Sequence, residues 1–179
     1  MRSHLHVLAL SALFALPLAA CGDRHTGDSS TAVAPKAVDR LNSLLRGELS
    51  AVETYRQAIA KEGSASVELN RLRGDHDDAA SQLSSRIRAL GGVPAMDPGV
   101  WGDFTKAIEG AAKVFGNDSA MQALKAGEKL GTSSYERALD DPDLDAASKD
   151  LIRNTLLPRQ REHADVLQRR IDVPSEPAR

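Results

Sequence analysis

Four segments of the chain place apolar residues at alternating spacings of three and four, the pattern of helices packed side by side in a bundle. The chain has 179 residues, enough for one domain with a substantial core. The pattern predicts helices over residues 36–61, 66–90, 119–139 and 145–171. Asp145 is expected to cap the fourth helix, and Pro158 to kink it. The chain is therefore predicted to be all-α.

Each apolar seam is interrupted by one polar residue. The four residues are Glu48, His76, Glu128 and His163. Because all four lie on faces predicted to point into the core, we expect them to meet at one depth inside the bundle. Carboxylates and imidazoles are ligands of divalent metals, so these four residues are the candidate metal ligands. No catalytic residue is predicted.

The two halves of the chain repeat a motif and are joined by a long link. Gly47-Glu48 followed by Tyr55 recurs as Gly127-Glu128 followed by Tyr135. The link, residues 91–118, is expected to contain a short helix over 103–115, with Trp101, Phe104 and Phe115 packing on the bundle. A duplicated helical hairpin with a long crossover is the connectivity of ferritin-like four-helix bundles.

Several motifs carry a resemblance to known families. Glu followed seven residues later by Tyr resembles bacterioferritins and rubrerythrins, in which the Glu binds iron. The segments GEKLGTSSYERAL, DLDAASKDLI and REHADVLQRR resemble a bacterial ferritin-like four-helix-bundle family known mainly as a domain of unknown function. The resemblance covers residues 36–172 and implies a ferritin-like fold. It implies no biochemical activity.

The sequence departs from the iron-binding relatives at two positions. Those relatives carry Glu-x-x-His on their second and fourth helices, whereas Arg73 and Gln160 stand here three residues before the two histidines. Both bridging carboxylates are therefore missing. Arg73 is a candidate cation for pairing with Glu48 or Glu128. Gln160 is a candidate neighbour of the site, as are Tyr55 and Tyr135, which we expect to hydrogen-bond the glutamates.

Three interpretations of this centre stay open. The first is a buried Glu–His–Arg network without metal, whose charges can balance internally. The second is a single divalent ion, iron, manganese or zinc, on some of the four residues. The third is an intact di-iron oxidase, although such sites need more carboxylates than this sequence supplies.

The N-terminus predicts export and lipidation. An apolar stretch over residues 7–20 has the length of a signal-peptide core and is too short to span a bilayer. It ends in LAACG, which resembles the lipobox of bacterial lipoproteins and implies acylation of Cys21. Gly22 after the cysteine favours the outer membrane, facing the periplasm. The predicted organisation is a signal peptide (1–20), a flexible tether (21–35), the ferritin-like bundle (36–172) and a disordered tail (173–179).

Composition narrows the function classes further. With 23 basic and 25 acidic residues, the chain lacks the basic excess of a nucleic-acid binder. Its single cysteine rules out intramolecular disulfides. The favoured function is a non-enzymatic, envelope-anchored bundle lipoprotein with a degenerate Glu/His core. The alternative is a metal-binding or redox protein that handles iron or protects against peroxide. Self-association into a homo-oligomer is open, and no protein partner is identified.

Overall fold

The computed structural model of the protein describes residues 29–62, 67–99 and 117–172. In these residues the chain forms long helices and no strand, so the prediction of an all-α bundle is confirmed. We number the helices α1 (Ser29–Glu62), α2 (Val67–Ala89), α3 (Asn117–Leu139) and α4. Helix α4 consists of an α-helical turn, Ala146–Leu151, a π-helical turn, Ile152–Leu156, and a second α-helical part, Leu157–Asp172.

The helices pair as two hairpins. Helix α1 packs mainly along α2 and α3 mainly along α4, while α1 and α3 make the principal contact between the hairpins. Apolar side chains fill two clusters along the bundle. The first cluster includes Leu41, Leu45, Leu83, Ile87, Tyr135, Ile152 and Leu156. The second includes Tyr55, Leu69, Leu72, Leu124, Val166 and Leu167.

The predicted seams are buried as expected from their spacing. On α2, every predicted seam residue except Leu90 is buried. The buried set on this helix is Leu69, Leu72, His76, Ala79, Ala80, Leu83 and Ile87. Because spacings of three and four keep side chains on one helical face, the pattern identified the core side of each helix correctly.

Helix α1 starts earlier than the sequence predicted. It begins at Ser29 rather than near Lys36, so the last part of the predicted tether is helical. Pro35 was expected to lie outside the helix and lies inside it. Proline removes one backbone donor but keeps a helical φ, and neighbouring alanines such as Ala32 and Ala34 favour the helix.

Helix α4 accommodates Pro158 by a change of helix type. The ring of a helical proline crowds the carbonyl of the residue four positions earlier. That residue, Asn154, lies in the π-helical turn Ile152–Leu156, whose wider hydrogen-bonding pattern relieves the crowding. The predicted cap is also present, because the Asp145 side chain accepts a hydrogen bond from the backbone N–H of Ser148.

A glycine pair ends α2. Gly91 has φ of +76°, a conformation that costs side-chain-bearing residues energy. The N–H of Gly92 donates to the carbonyl of Ile87 at 2.9 Å, and that of Gly91 donates to the carbonyl of Arg88 at 2.9 Å. These two bonds form a Schellman motif. A Cβ on Gly92 would lie 2.6 Å from Val38, so the turn also needs glycine to pack against α1.

Several predictions fall outside the described residues. They are the signal peptide (1–20), Cys21, the short helix of the link (103–115) with Trp101, and the C-terminal tail (173–179). Of the helices that the structure describes, none combines the length and the apolar character needed to cross a membrane.

Two glycine substitutions test this account of α2. We expect Gly91→Ala to lower the free energy of unfolding by about 1–2 kcal/mol, because alanine would be forced into the left-handed region. The matched control is Gly74→Ala, in the middle of α2, where a Cβ would meet nothing within 4 Å. We expect this change to raise the free energy of unfolding by about 0.5–1 kcal/mol. Urea denaturation followed by circular dichroism measures both, and equal effects would contradict the account.

Candidate functional site

The polar residues of the four seams meet inside the bundle. Glu48 lies on α1, His76 on α2, Glu128 on α3 and His163 on α4. Each of them exposes 5% of its surface or less. The structure therefore brings together all four residues that the sequence singled out, although their role as metal ligands stays a prediction.

His76 lies between the two glutamates and contacts both. Its Nδ1 is 2.7 Å from Glu48 Oε2, and its Nε2 is 3.1 Å from Glu128 Oε1. A neutral imidazole carries one proton and can donate to only one of these oxygens. If both glutamates are ionised, both contacts are hydrogen bonds only when His76 is an imidazolium. The geometry thus describes a cation held between two carboxylates.

The two tyrosines of the repeated motif cross between the hairpins. The hydroxyl of Tyr55, on α1, donates to Glu128 Oε1 at 2.5 Å. The hydroxyl of Tyr135, on α3, donates to Glu48 Oε1 at 2.5 Å. The prediction that the tyrosines hydrogen-bond the glutamates is confirmed. Each tyrosine bonds the glutamate of the other hairpin, so the repeat in the sequence forms a symmetric pair of links.

Gln160, on α4, binds Glu128 through its side-chain amide. Its Nε2 donates to Glu128 Oε2 at 2.5 Å and approaches the backbone carbonyl of the same residue at 3.2 Å. A Cβ on Gly131 would lie 2.4 Å from this amide nitrogen, so glycine at position 131 makes room for Gln160. An amide donates to a carboxylate without adding negative charge.

His163 lies at the edge of the cluster and faces a residue that the sequence analysis did not select. Its Nε2 is 3.2 Å from Asp75 Oδ2, and its Nδ1 is 3.6 Å from Glu128 Oε2. The second distance is too long for a hydrogen bond, and Nδ1 is buried without a partner. Asp75 is partly buried, with 27% of its side chain exposed. Its position directly before His76 turns it toward α4, and only the packing of α2 against α4 reveals this.

The predicted role of Arg73 is wrong. No ion pair joins Arg73 to Glu48 or Glu128, and its buried Nε has no hydrogen-bond partner. The reason is that His76 occupies the space between the two carboxylates. The hydroxyl of Tyr55 shares Glu128 Oε1 with His76, and the hydroxyl of Tyr135 binds Glu48 Oε1, the oxygen that His76 leaves free. The cation of the network is therefore an imidazolium rather than a guanidinium.

The cluster shifts the ionisation of its members strongly. Burial lowers the pKa of His76, but the charges of Glu128 and Glu48 outweigh it and raise this pKa to about 10. Burial raises the pKa of Glu128, but the charge of His76 and the nearness of His163 lower it to about 2. Burial, together with the adjacent carboxylates, raises the pKa of Tyr55 and Tyr135 well above 10. At neutral pH these shifts leave Glu128 ionised, His76 charged and both tyrosines neutral.

A subset of the cluster has the chemistry of a metal site. His76, Glu128 and His163 each offer a ligand atom, and these atoms lie within 4.8 Å of one another. Two imidazoles and a carboxylate suit a single zinc, manganese or iron ion. Glu48 is not a member of this group, and the bridging carboxylates of a di-iron site are absent at positions 73 and 160. The residues fit one ion and do not fit two.

The ionised network predicts a dependence of stability on pH. His76 has its pKa raised from 6.5 to about 10, so its contribution is fully present below pH 6.5 and is lost as the pH rises toward 10. Glu128 has its pKa lowered from 4.5 to about 2, so its contribution is present above pH 4.5 and is lost as the pH falls toward 2. We expect the free energy of unfolding to be highest between these limits.

Urea denaturation between pH 3 and pH 10 measures this profile. The control is His76→Gln, which keeps a polar side chain but cannot carry a charge. We expect the free energy of unfolding of the wild-type protein to fall above pH 6.5. In the variant, the part of this fall that comes from His76 should be absent. Identical alkaline slopes in the two proteins would show that His76 is not a buried cation.

Comparison with known proteins assigns the chain to a family without giving it an activity. No curated protein and no solved structure gave a significant match. A protein-family model described as "Domain of unknown function (DUF2383)" matches residues 36–141. The match covers α1 from Lys36 onward, α2, α3 and the link, and thus three of the four residues at the site. Because it spans more than half of the chain, the protein belongs to the family of the domain of unknown function DUF2383.

Proposed function

We propose that this protein is a lipid-anchored, ferritin-like bundle of the cell envelope, without enzymatic activity, whose Glu–His core is an ionic network that needs no metal. The observation that carries this proposal is the position of His76, with its two ring nitrogens 2.7 Å and 3.1 Å from the carboxylates of Glu48 and Glu128. An imidazolium there supplies the positive charge that a metal ion would otherwise supply.

The network links all four helices. Glu48 and His76 join α1 to α2, His76 and Glu128 join α2 to α3, and Gln160 joins α4 to α3. Hydrogen bonds to charged groups are stronger than those between neutral groups, and a buried network of this kind specifies one register. The site is thus suited to holding the hairpins together, which is the role we assign to it.

The ferritin-like assignment is supported by connectivity and by the repeated motif. The helices pair as α1 with α2 and α3 with α4, and the link between the hairpins is long. Gly-Glu followed by Tyr occurs at corresponding positions of α1 and α3, and the tyrosines cross to opposite glutamates. A duplicated hairpin with polar residues converging in the core is the plan of ferritin-like bundles.

The lipid anchor is proposed from the sequence. The apolar stretch over 7–20 ends directly before Cys21, the single cysteine of the chain. Acylation of this cysteine would tie the bundle to a membrane through residues 22–28 and the N-terminal end of α1. Two or more acyl chains on one residue give stable anchoring. We assign the protein to the outer membrane, facing the periplasm.

Substitution of Cys21 tests the anchor. In Cys21→Ser, acylation is impossible, and we expect the protein to leave the membrane fraction or to retain its signal peptide. Cell fractionation and intact-protein mass spectrometry report both outcomes. Ser30→Ala is a control that leaves the lipobox unchanged. A Cys21→Ser protein that stays in the membrane with unaltered mass apart from the substitution would contradict the anchor.

A second function is favoured by one specific observation. His163 Nδ1 is buried without a hydrogen-bond partner and lies 3.6 Å from Glu128 Oε2. Together with His76 and Glu128 it would hold a single divalent ion, iron, manganese or zinc. Such an ion would supply Lewis acidity or, if it is iron or manganese, redox chemistry directed at iron handling or peroxide protection. The residues would then serve as ligands instead of as an ionic network.

Metal analysis decides between the two functions. The purified full chain is incubated with iron, manganese or zinc between pH 6 and pH 8 and then desalted. Its metal content is measured by inductively coupled plasma mass spectrometry. Our proposal expects no stoichiometric metal, because His76 is held as a cation by the glutamates. The variant is Glu128→Gln, and the matched control is Glu136→Gln, an exposed glutamate on the same helix. Stoichiometric metal that is lost only in Glu128→Gln would establish the metal site on which the second function depends.

A further inference from the structure

A cleft opens between α1 and α3 beside the Glu–His cluster. It encloses a cavity of about 50 Å³ and is continuous with the solvent on one side. Gly47 of α1 and Gly127 and Gly131 of α3 line it. Because glycine has no side chain, the cleft extends between the helices as far as the carboxylates of Glu48 and Glu128. The cleft therefore ends at the carboxylates of the buried cluster.

The charges around this cleft do not balance. Glu48 and Glu128 are the carboxylates of its lining, and His76 is the basic residue of that lining. Since His76 bridges both carboxylates, two negative charges face one positive charge. His163 is not among the residues that line this cleft, and its Nε2 faces Asp75. An uncompensated buried charge is costly, so a cation entering the cleft would be stabilised.

The hydrogen bonds of Glu48 leave room for a donor. Tyr135 and His76 each bind one oxygen of this carboxylate. An ionised carboxylate has about four acceptor positions, so among the described residues two of them remain open. A ligand that donates hydrogen bonds satisfies these positions, whereas an anion or a pure acceptor does not.

The walls of the cleft are mostly apolar, although Ser43, Ser50, Thr54 and Ser134 also line it. Leu44 and Ala51 of α1 and Leu124 of α3 line it away from the glutamates. Such walls supply few oxygen ligands to replace the hydration shell of a bare metal cation, and they favour a hydrocarbon tail. Because one water needs about 10–15 Å³ of cavity volume, the cavity holds about four heavy atoms. The chemistry of the lining thus specifies both the charge and the size of a ligand.

We infer that the cleft between α1 and α3 binds a small primary alkylammonium ion, whose ammonium group donates to Glu48 and whose short tail lies against Leu44, Ala51 and Leu124. This inference rests on the metal-free network proposed above, because a divalent ion in the cluster would remove the excess negative charge. Binding adds a hydrogen-bonded cation to the network without any covalent change.

Titration of the purified full chain with ethylammonium chloride tests the inference. Ethylammonium has three heavy atoms and is charged at neutral pH, as a lysine side chain is. Binding is measured at pH 7 from the amide signals of Gly47, Gly127 and Gly131 in nitrogen–proton correlation spectra. Sodium chloride keeps the ionic strength constant. We expect saturable shifts of these three signals with ethylammonium and none with ethanol, a neutral ligand of the same size.

Two variants locate the site. Ala51→Leu fills the cleft without touching the ionic network, and we expect at least a tenfold loss of affinity for ethylammonium. Ala51→Ser is the matched control and should bind as the wild type does. The inference is overturned by a wild-type protein that shows no saturable shift, by equal responses to ethanol and ethylammonium, or by undiminished binding in Ala51→Leu.

Metal analysis distinguishes a failure of this inference from a failure of the proposed function. A protein that binds no metal and no ethylammonium would overturn the cleft site and leave the ionic network standing. A protein that binds stoichiometric metal at Glu128 would overturn the network, and the inference would fall with it.

Discussion

The contact on which this structure depends is a buried imidazolium between two buried carboxylates. His76 lies 2.7 Å from Glu48 and 3.1 Å from Glu128, and all three side chains are almost fully removed from solvent. Burying one charge alone is costly, and removing one partner of such a set typically costs about 3–5 kcal/mol. Loss of any one of the three charges would therefore destabilise the fold, and the four helices must pack so that all three groups stay in contact.

Local features of the sequence serve this unit. Gly131 leaves space for Gln160, which binds Glu128 from α4. The π-helical turn before Pro158 lets α4 continue past the proline toward Gln160 and His163. The glycine turn after α2 brings the chain back against Val38 of α1. Apolar clusters lie along the bundle, and the burial of the charged side chains strengthens the ionic contacts between them.

The apolar seams made the fold and the main site residues predictable. Residues spaced by three and four share a helical face, so Glu48, His76, Glu128 and His163 could be placed in the core before any coordinates were known. Pairing between helices was harder, because spacing along one helix does not show how it is rotated against its neighbours. Asp75 and Arg73 illustrate the limit: the first reaches His163, and the second reaches neither glutamate.

At the helix ends, too, features that depend on neighbouring residues were predictable, whereas features that depend on tertiary packing were not. Asp145 was recognised as a cap because its role depends on residues next to it in sequence. The early start of α1 was not predicted, because the residues before Lys36 have the composition of a flexible tether, whereas a proline inside a helix costs only one donor and some crowding. The sequence predicted that the two tyrosines bind glutamates. That each tyrosine binds the glutamate of the other hairpin depends on how α1 packs against α3, which the sequence does not show.

The most direct test of this account is the protonation state of His76 in the folded protein. Nitrogen NMR of the histidine rings distinguishes an imidazolium, with protons on both nitrogens, from either neutral tautomer, and His76→Gln assigns the signal. We expect His76 to carry both protons at pH 7.5, one unit above the unperturbed pKa of 6.5. A neutral His76 ring at that pH would contradict the central claim, because one of its two carboxylate contacts would then have no proton to share.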